Sequence, residues 1–475
     1  MADDLALTLV RNGIEVLQPG ETIRVAGRTL PPEGTYVVPL DQPAHRLARN
    51  LLDPHTPMDS AFVRLQRERR ALRMPDQIYD VTAWSLPLLW DVERIEADGV
   101  PAGSLRPVTA TAAEPASRTA PEGAVGWLIP WGRGGAAAVA ALLGEGALVR
   151  AAGGDFTLAG RRHPIGTTFV RRADNPDLDL RSLVARAAAQ TGAAVLPLDS
   201  TFSEAGVSAG SRANRALRLP RVVLAWDEPT STYSAGWARY VLEQRYGIPV
   251  SAIRTSRLGG ISLTDYDVIV LPHGGGYSDA LGAGGLDRLR AWIADGGTLV
   301  TMGESSRWAA REGILATSTE LRGGAPEFGP GAGGDEAGPG PRPQPIDLLE
   351  AIGPPRESPE PVPGAVLNVD LRTDHWLASG TDGRVGVVVE GSRVFSPITL
   401  DRGANVGTYA VGDDLVAGGI VWDASRPQLQ NKAYLVHQPV GRGQVVAFAE
   451  DPNYRAYAEA SQLLFVNAVL LGPGR

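Results

Sequence analysis

Apolar and polar positions fall into blocks along the chain, and the clearest block runs from 265 to 310. Val268–Leu271 is a continuous apolar run of the length of a fully buried parallel strand. Leu286, Leu289 and Ile293 recur at helical spacing and predict a helix over Leu286–Ala294. Gly296-Gly297 stops it, and Thr298–Met302 is a second apolar strand that runs into Gly303-Glu304-Ser305-Ser306. Open α/β sheets place their chemistry at such strand-to-helix turns.

The same alternation continues on both sides. Upstream lie a strand Arg221–Trp226, a loop Asp227–Tyr233, a helix Ala235–Arg245 and a strand at Val250–Arg254. Right-handed crossovers then bring the loops Asp227–Tyr233 and Pro272–Ser278 to the sheet edge that carries Ser305. Downstream, strand patterns recur at Ala365–Val369, Val385–Val389, Gly418–Trp422, Lys432–His437 and Gln444–Ala449, before a helix Ala458–Leu470. These predict the rest of the same sheet with antiparallel additions. The Gly/Pro-rich stretch 320–362 buries too little apolar surface to offset its ordering entropy and is expected to be a mostly disordered insertion.

The N-terminal part is a duplication. Its first copy reads as helix Leu5–Val10 and strands Ile14–Leu17, Thr22–Val25 and Gly34–Val38. Ala-Gly-Arg, a proline, Gly-Thr and a closing Asp-(Gln/Asn)-Pro occur in Ala26–Pro43 and again in Ala159–Pro176, about 133 residues on. The second copy opens with an apolar strand Gly126–Pro130 before its helix Ala136–Leu143. The first begins inside its helix at Met1, which predicts an N-terminally truncated module. Between the copies lie a basic helix Ala61–Leu72, read as a solvated face, and an aromatic segment Gln77–Val92, read as core or interface. The expected organisation is α/β: a first small module with its connecting helix over 1–102, a linker over 103–123, a related module over 124–214, and a flavodoxin-like parallel-sheet domain over 215–475.

Composition narrows the function. A net charge of −8 disfavours nucleic acid and anionic membranes as partners. The chain has no cysteine, which excludes disulfides, thiolate metal sites and a cysteine nucleophile. No run reaches the ~18 apolar residues of a membrane span, and the N-terminus lacks the pattern of a signal peptide. The compartment stays open: cytoplasmic if synthesis begins at Met1, extracellular or periplasmic if the chain is part of an exported precursor.

Ser305 is the sharpest catalytic candidate, because an elbow exposes a side chain and aims backbone N–H groups at an oxyanion. A serine needs a base; His273 stands at the adjacent strand end, with Asp227, Glu228 or Asp451 to orient it. The structural alternative has Ser305 and Ser306 capping the next helix. Gly274, Gly275 and Gly276 form either a tight turn or an anion cradle, without the lysine of a P-loop. Tyr233, Glu304 and Arg455 complete the candidate lining of a cleft, together with Asp227, Glu228, His273, Gly274, Gly275, Ser305 and Asp451. The alternative for the 227–233 loop is a helix start capped by Ser234. His375-Trp376 is read as local packing.

Strand, glycine-rich loop, helix, strand and Gly-x-Ser together resemble the class I glutamine amidotransferase-like fold. That family carries a cysteine in a Gly-x-Cys-x-Gly elbow and a later His-Pro-Glu. Here Ser305 is taken to stand at the nucleophile position and Asp451-Pro452 where His-Pro would be, so the resemblance implies a degenerate version. The whole chain also resembles the C-terminal region of large bacterial zinc carboxypeptidases, through YDVTAWSLPLLWDV, AGVSAGSRANRALRLPRVVLAWDEPTSTYSAGWARYVLEQRYGIPV, HWLASG and GRGQVVAFAEDPNYRAYAEASQLLFVNAVLLGP. This resemblance implies an exported family whose catalytic zinc sits in a separate domain. None of His45, His55, His163, His273, His375 and His437 has a glutamate three residues on, so no zinc ligand is assigned and no cofactor is expected in this chain. The expected function is that of a non-catalytic accessory region, packing against a zinc peptidase domain and binding peptide or glycan. A serine hydrolase at Ser305 and a free-standing ligand-binding protein are the alternatives.

Overall fold

The computed structural model describes residues 1–100, 105–109, 120–329 and 357–474. A ten-stranded mixed sheet dominates them. Its five parallel strands lie in the order Val250–Arg254, Val222–Trp226, Val268–Leu271, Thr298–Met302 and Gly443–Phe448. This is the doubly wound order 2-1-3-4-5, and the chain has an α/β fold. The run Val268–Leu271 is buried on both faces, as a central parallel strand must be.

Antiparallel strands extend the sheet through Ala433–Val440, Ala404–Tyr409, Val362–Leu371 and Arg384–Gly391, with Val416–Gly418 beside Val362–Leu371. Ala404–Tyr409 carries no strong alternation and escapes the sequence pattern. The strand expected at Gly418–Trp422 lies instead at Val416–Gly418. The stretch expected to be unpacked at 320–362 lies largely outside the described residues. Its described flanks are anchored: Glu320 N–H bonds Val394 C=O at 2.8 Å, its carboxylate pairs with Lys432 at 2.6 Å, and Arg322 N–H bonds Glu357 C=O.

The second N-terminal copy is a five-stranded antiparallel sheet, ordered Leu196–Leu198, Gly126–Ile129, Thr168–Arg171, Val149–Ala151, Arg215–Leu217. Helices Arg133–Gly144 and Leu180–Thr191 pack together beside it. In the first copy, helix Ala2–Arg11 and hairpin Ile23–Val25/Arg28–Leu30 correspond to helix Arg133–Gly144 and hairpin Phe156–Leu158/Arg161–His163. The strand expected at Ile14–Leu17 lies at Leu17–Pro19, and Gly34–Val38 is reduced to one bridge, Val37 to Leu17. Leu105–Pro107, inside the expected linker, pairs with Leu17–Pro19.

One correction and one outcome within the expected alternatives concern the connecting region. Helix Ser60–Ala71 is not simply solvated: Gln66 is fully buried, and Arg70 pairs with Asp76 at 2.9 Å and Glu360 at 2.7 Å. Leu86, Leu89 and Trp90 pack with Val366 and Val388 of the large sheet, so this segment is an interface. Helix Glu459–Leu470 is buried at every position and contacts both the large sheet and helix Arg133–Gly144. Asn467 makes that junction specific. It accepts from Trp131 Nε1 at 2.7 Å and donates to the carbonyls of Leu377 and Ser379.

Candidate functional site

The carboxyl edge of the parallel strands gathers the predicted loops. Ser231 N–H donates to His273 C=O at 2.7 Å, and Thr230 bridges Gly274. A Cβ on Gly274 would lie 2.4 Å from Pro229 O, so the glycine is explained by loop-to-loop contact and the tight-turn alternative.

The elbow after Thr298–Met302 falls on Gly303, not Ser305. Gly303 holds φ 60°, ψ −122°, and helix Glu304–Arg311 begins at the next residue. This strained turn is the one on which a nucleophile elbow displays its side chain, and glycine has none to display. Its place is taken by His273, whose Nδ1 lies 2.4 Å from where a Gly303 Cβ would be. His273 Nδ1 accepts from Glu304 N–H at 3.3 Å. Burial, reinforced by the Arg393 charge and opposed by Glu304, lowers the pKa of this imidazole, which suits an acceptor nitrogen.

Ser305 is wholly buried. Its Oγ accepts from Met302 N–H at 2.9 Å and donates to Leu271 C=O at 2.7 Å, tying two neighbouring strand ends together. Its proton is committed to a carbonyl, and His273 is not among its partners. Ser306 likewise donates to Phe448 C=O at 2.8 Å. Neither serine caps the helix; both staple the sheet. The cap of helix Thr232–Tyr240 is Ser231, whose side chain accepts from Ser234 N–H, and not Ser234 as expected.

Ser234 is instead the link to Asp451. Its hydroxyl accepts from His273 N–H at 2.9 Å and donates to Asp451 Oδ2 at 2.5 Å. Asp451 Oδ1 accepts from Asn453 N–H. Burial pushes Asp451 up to about 6, against the opposing effect of these two hydrogen bonds. Asp451 therefore approaches the backbone of His273 through one hydroxyl, not its ring. Asp227 turns away, facing Arg254 at 3.6 Å and the N–H of Glu228.

Two groups at this edge were legible in the sequence only in part, through Glu304 in the first and Tyr233 and Arg455 in the second. Arg393, in a loop far along the chain from the sheet's first strands, pairs with Glu304 at 3.2 Å and with the buried carboxylate of Glu450. Burial pushes Glu450 up to about 7 although Arg393 opposes this. Arg307 pairs with Glu327, and together with Glu304, Arg393 and Thr319 these side chains line a cavity of about 100 Å³. The second group is an aromatic run. Tyr233, 73% exposed, stacks on Trp237 (6.0 Å between ring centroids), which meets Tyr454 at 5.3 Å; Tyr454 meets Tyr457, and Tyr457 meets Trp84. Arg455 lies over both Trp84 and Tyr454 and pairs with Asp80 at 2.7 Å. Arg455 and Ala456 both have positive φ, a strain that locally over-determined sites retain. The cluster Asp451–Arg455 and Tyr233 were legible in the sequence; the packing of Tyr457 and Trp84 onto them was not.

Away from this edge, His375 Nδ1 accepts from Leu377 N–H, so its Nε2 donates to His437 Nδ1 at 3.1 Å, and His437 Nε2 donates to Gln444 Oε1 at 2.8 Å. Among the described residues there is no group of three metal-ligating side chains, and no helix is long and apolar enough to cross a membrane.

No protein-family model matches the chain, and no curated protein matches it. Solved structures do. A cytoplasmic protein of Salmonella typhimurium aligns with 54% of this chain and 100% of its own, at 12% identity and TM-score 0.33. A protein described as a component of GMP synthase from Thermoplasma acidophilum covers 53% of this chain and 92% of its own, at 9% identity and TM-score 0.33. A ThuA-like protein from Parabacteroides merdae covers 52% and 87%, at 10% identity and TM-score 0.33. At this level the likeness is one of fold and carries nothing about chemistry.

Proposed function

We propose that the chain is a non-catalytic, ligand-binding accessory region with a degenerate amidotransferase-like sheet. The observation that carries this is the elbow. The displaying position is Gly303, its side-chain space is filled by His273, and the hydroxyl of Ser305 is spent on Leu271 C=O. What the edge offers instead is a recognition surface. The run of exposed Tyr233 and half-buried Trp237 and Tyr454 supplies flat apolar area at low entropic cost. Arg455, over Tyr454, and the charged cavity of Glu304, Arg307 and Arg393 supply directional polar contacts. A peptide or glycan chain laid across the aromatic rings fits both features.

The resemblance to the C-terminal region of zinc carboxypeptidases gives this role its setting: a surface that holds substrate for, or packs against, a peptidase domain carried elsewhere. The test has two arms. The purified chain is assayed with zinc against C-terminal peptide substrates and with a fluorophosphonate probe; chelator-sensitive release, or labelling lost in Ser305→Ala, overturns the proposal. Thermal shifts are then measured with peptide and oligosaccharide panels. A shift by one panel that disappears in Tyr233→Ala and Trp237→Ala supports it.

A further inference from the structure

The two N-terminal copies match in backbone detail, and the match exposes one difference. Ala26 and Ala159, equivalent in the repeat, both take the left-handed conformation, at φ 50° and 51°. Leu17 exchanges both backbone hydrogen bonds with Val37 at 2.8 Å, as Arg150 pairs with Phe169. Gln42 brackets Glu15 in the first copy as Asn175 brackets Leu148 in the second: each side-chain oxygen accepts the N–H (2.7 Å in both) and each amide donates to the C=O. The side-chain amides also reach equivalent carbonyls, of Pro39 and Arg171.

The difference is what lies on the far side of that strand. In the second copy Thr168–Arg171 is covered by the antiparallel strand Gly126–Ile129, in the register Trp127 to Val170, Leu128 to Phe169 and Ile129 to Thr168. Thr168, Phe169 and Val170 are 0–1% exposed as a result. Their counterparts Tyr36, Val37 and Val38 are all partly exposed. Antiparallel alternation points the N–H and C=O groups of Tyr36 and Val38 away from Leu17, and among the described residues none of these groups has a hydrogen-bond partner.

We propose that the Tyr36–Val38 edge is a receptor strand, which takes up one extended apolar polypeptide segment antiparallel to itself. The second copy specifies the occupant. Trp127 and Ile129 pack into the core with helix Arg133–Gly144, and Leu128 packs on the other face with Phe156 and Phe169. The incoming strand is therefore apolar on both faces over three or four residues, with its first and third side chains toward helix Ala2–Arg11. Main-chain hydrogen bonds give the affinity and alternate side chains the selectivity. The proposal is independent of the aromatic edge of the large sheet.

The probe is a fluorescent peptide with the sequence of residues 124–131, titrated against the whole chain by anisotropy. Expected is saturable binding, lost with a scrambled peptide and with one N-methylated at alternate positions, and weakened at least tenfold in Val38→Pro. That substitution removes an outward N–H and leaves the Leu17–Val37 bonds in place. In a second arm the same sequence is fused ahead of Met1, and the thermal midpoint is expected to rise. No binding together with an unchanged midpoint in the fusion overturns the proposal. So does binding that ignores N-methylation, and so does peptide-free dimerisation abolished by Val38→Pro, which would make the edge a contact between copies.

Discussion

Gly303 and His273 exclude one another: a Cβ on the glycine would lie 2.4 Å from the imidazole Nδ1. The elbow that could present a nucleophile has closed over a histidine. Restoring a side chain there should therefore cost stability. Gly303→Ser meets both the clash and the positive φ of 60°, together about 1–3 kcal/mol. In a His273→Ala background the clash is relieved and only the backbone strain remains, so the same substitution should cost less. Denaturant midpoints of the four proteins check this coupling. Equal costs in both backgrounds would show that the two residues do not compete for space.

Ser305 is a structural staple, and Ser305→Ala should behave as the loss of one. It strands the Met302 N–H and the Leu271 C=O in a fully buried site, a loss of about 1–3 kcal/mol. Ser305→Cys, which keeps a weaker donor, should fall between alanine and the native residue. Urea unfolding curves measure both. An alanine variant as stable as the parent would remove the staple from the account.

The parallel sheet was legible in the sequence because its strands are short, continuous apolar runs separated by helical spacing and glycine. The site was legible only in part. Gly-x-Ser drew attention to Ser305, since a serine after a glycine at a strand end is the visible part of an elbow. The residue that carries the elbow's backbone is decided by where the strand stops, and Met302 is its last residue. A small shift of register separates an exposed nucleophile from a buried hydroxyl. Arg393 and Glu450 were invisible for a different reason: their pairing joins two loops 57 residues apart, and no local pattern encodes it. The duplication, by contrast, was legible at the level of single residues, because the Ala-Gly turn and the amide of the Asp-(Gln/Asn)-Pro close each hold the same backbone feature in both copies.

Asp451 gives the edge a pH dependence with a definite sign. Its folded pKa is raised from 3.8 to about 6, so the folded state holds the proton more tightly than the unfolded chain does. Below the unfolded value the contribution is fully favourable, and it is lost as pH rises from about 4 through about 6. Asp451→Asn keeps an acceptor for the Ser234 hydroxyl and cannot titrate. The parent should thus lose stability relative to this variant, on the order of 1–2 kcal/mol, between those pH values. Parallel unfolding series at several pH values measure the difference. A difference that stays constant with pH would mean the carboxyl titrates normally.

Gln42 and Asn175 make the same bracket in the two copies of the repeat, and this permits a paired test. Each is buried, at 6% exposure, and each satisfies a backbone N–H and two carbonyls that have no strand partner at that point. Truncation to alanine leaves those groups unpaired and should cost about 1–3 kcal/mol at either position. The amide is the active part, so Gln42→Asn, one methylene shorter, should recover little, whereas Asn175→Ser should recover part through its hydroxyl. The brackets lie in separate sheets and share no partner, so the double variant should lose the sum of the two single losses. Unfolding free energies of the two single variants and the double variant are the measurement. A large loss at Asn175 with none at Gln42 would mean that the first copy keeps the repeat's shape without depending on its bracket.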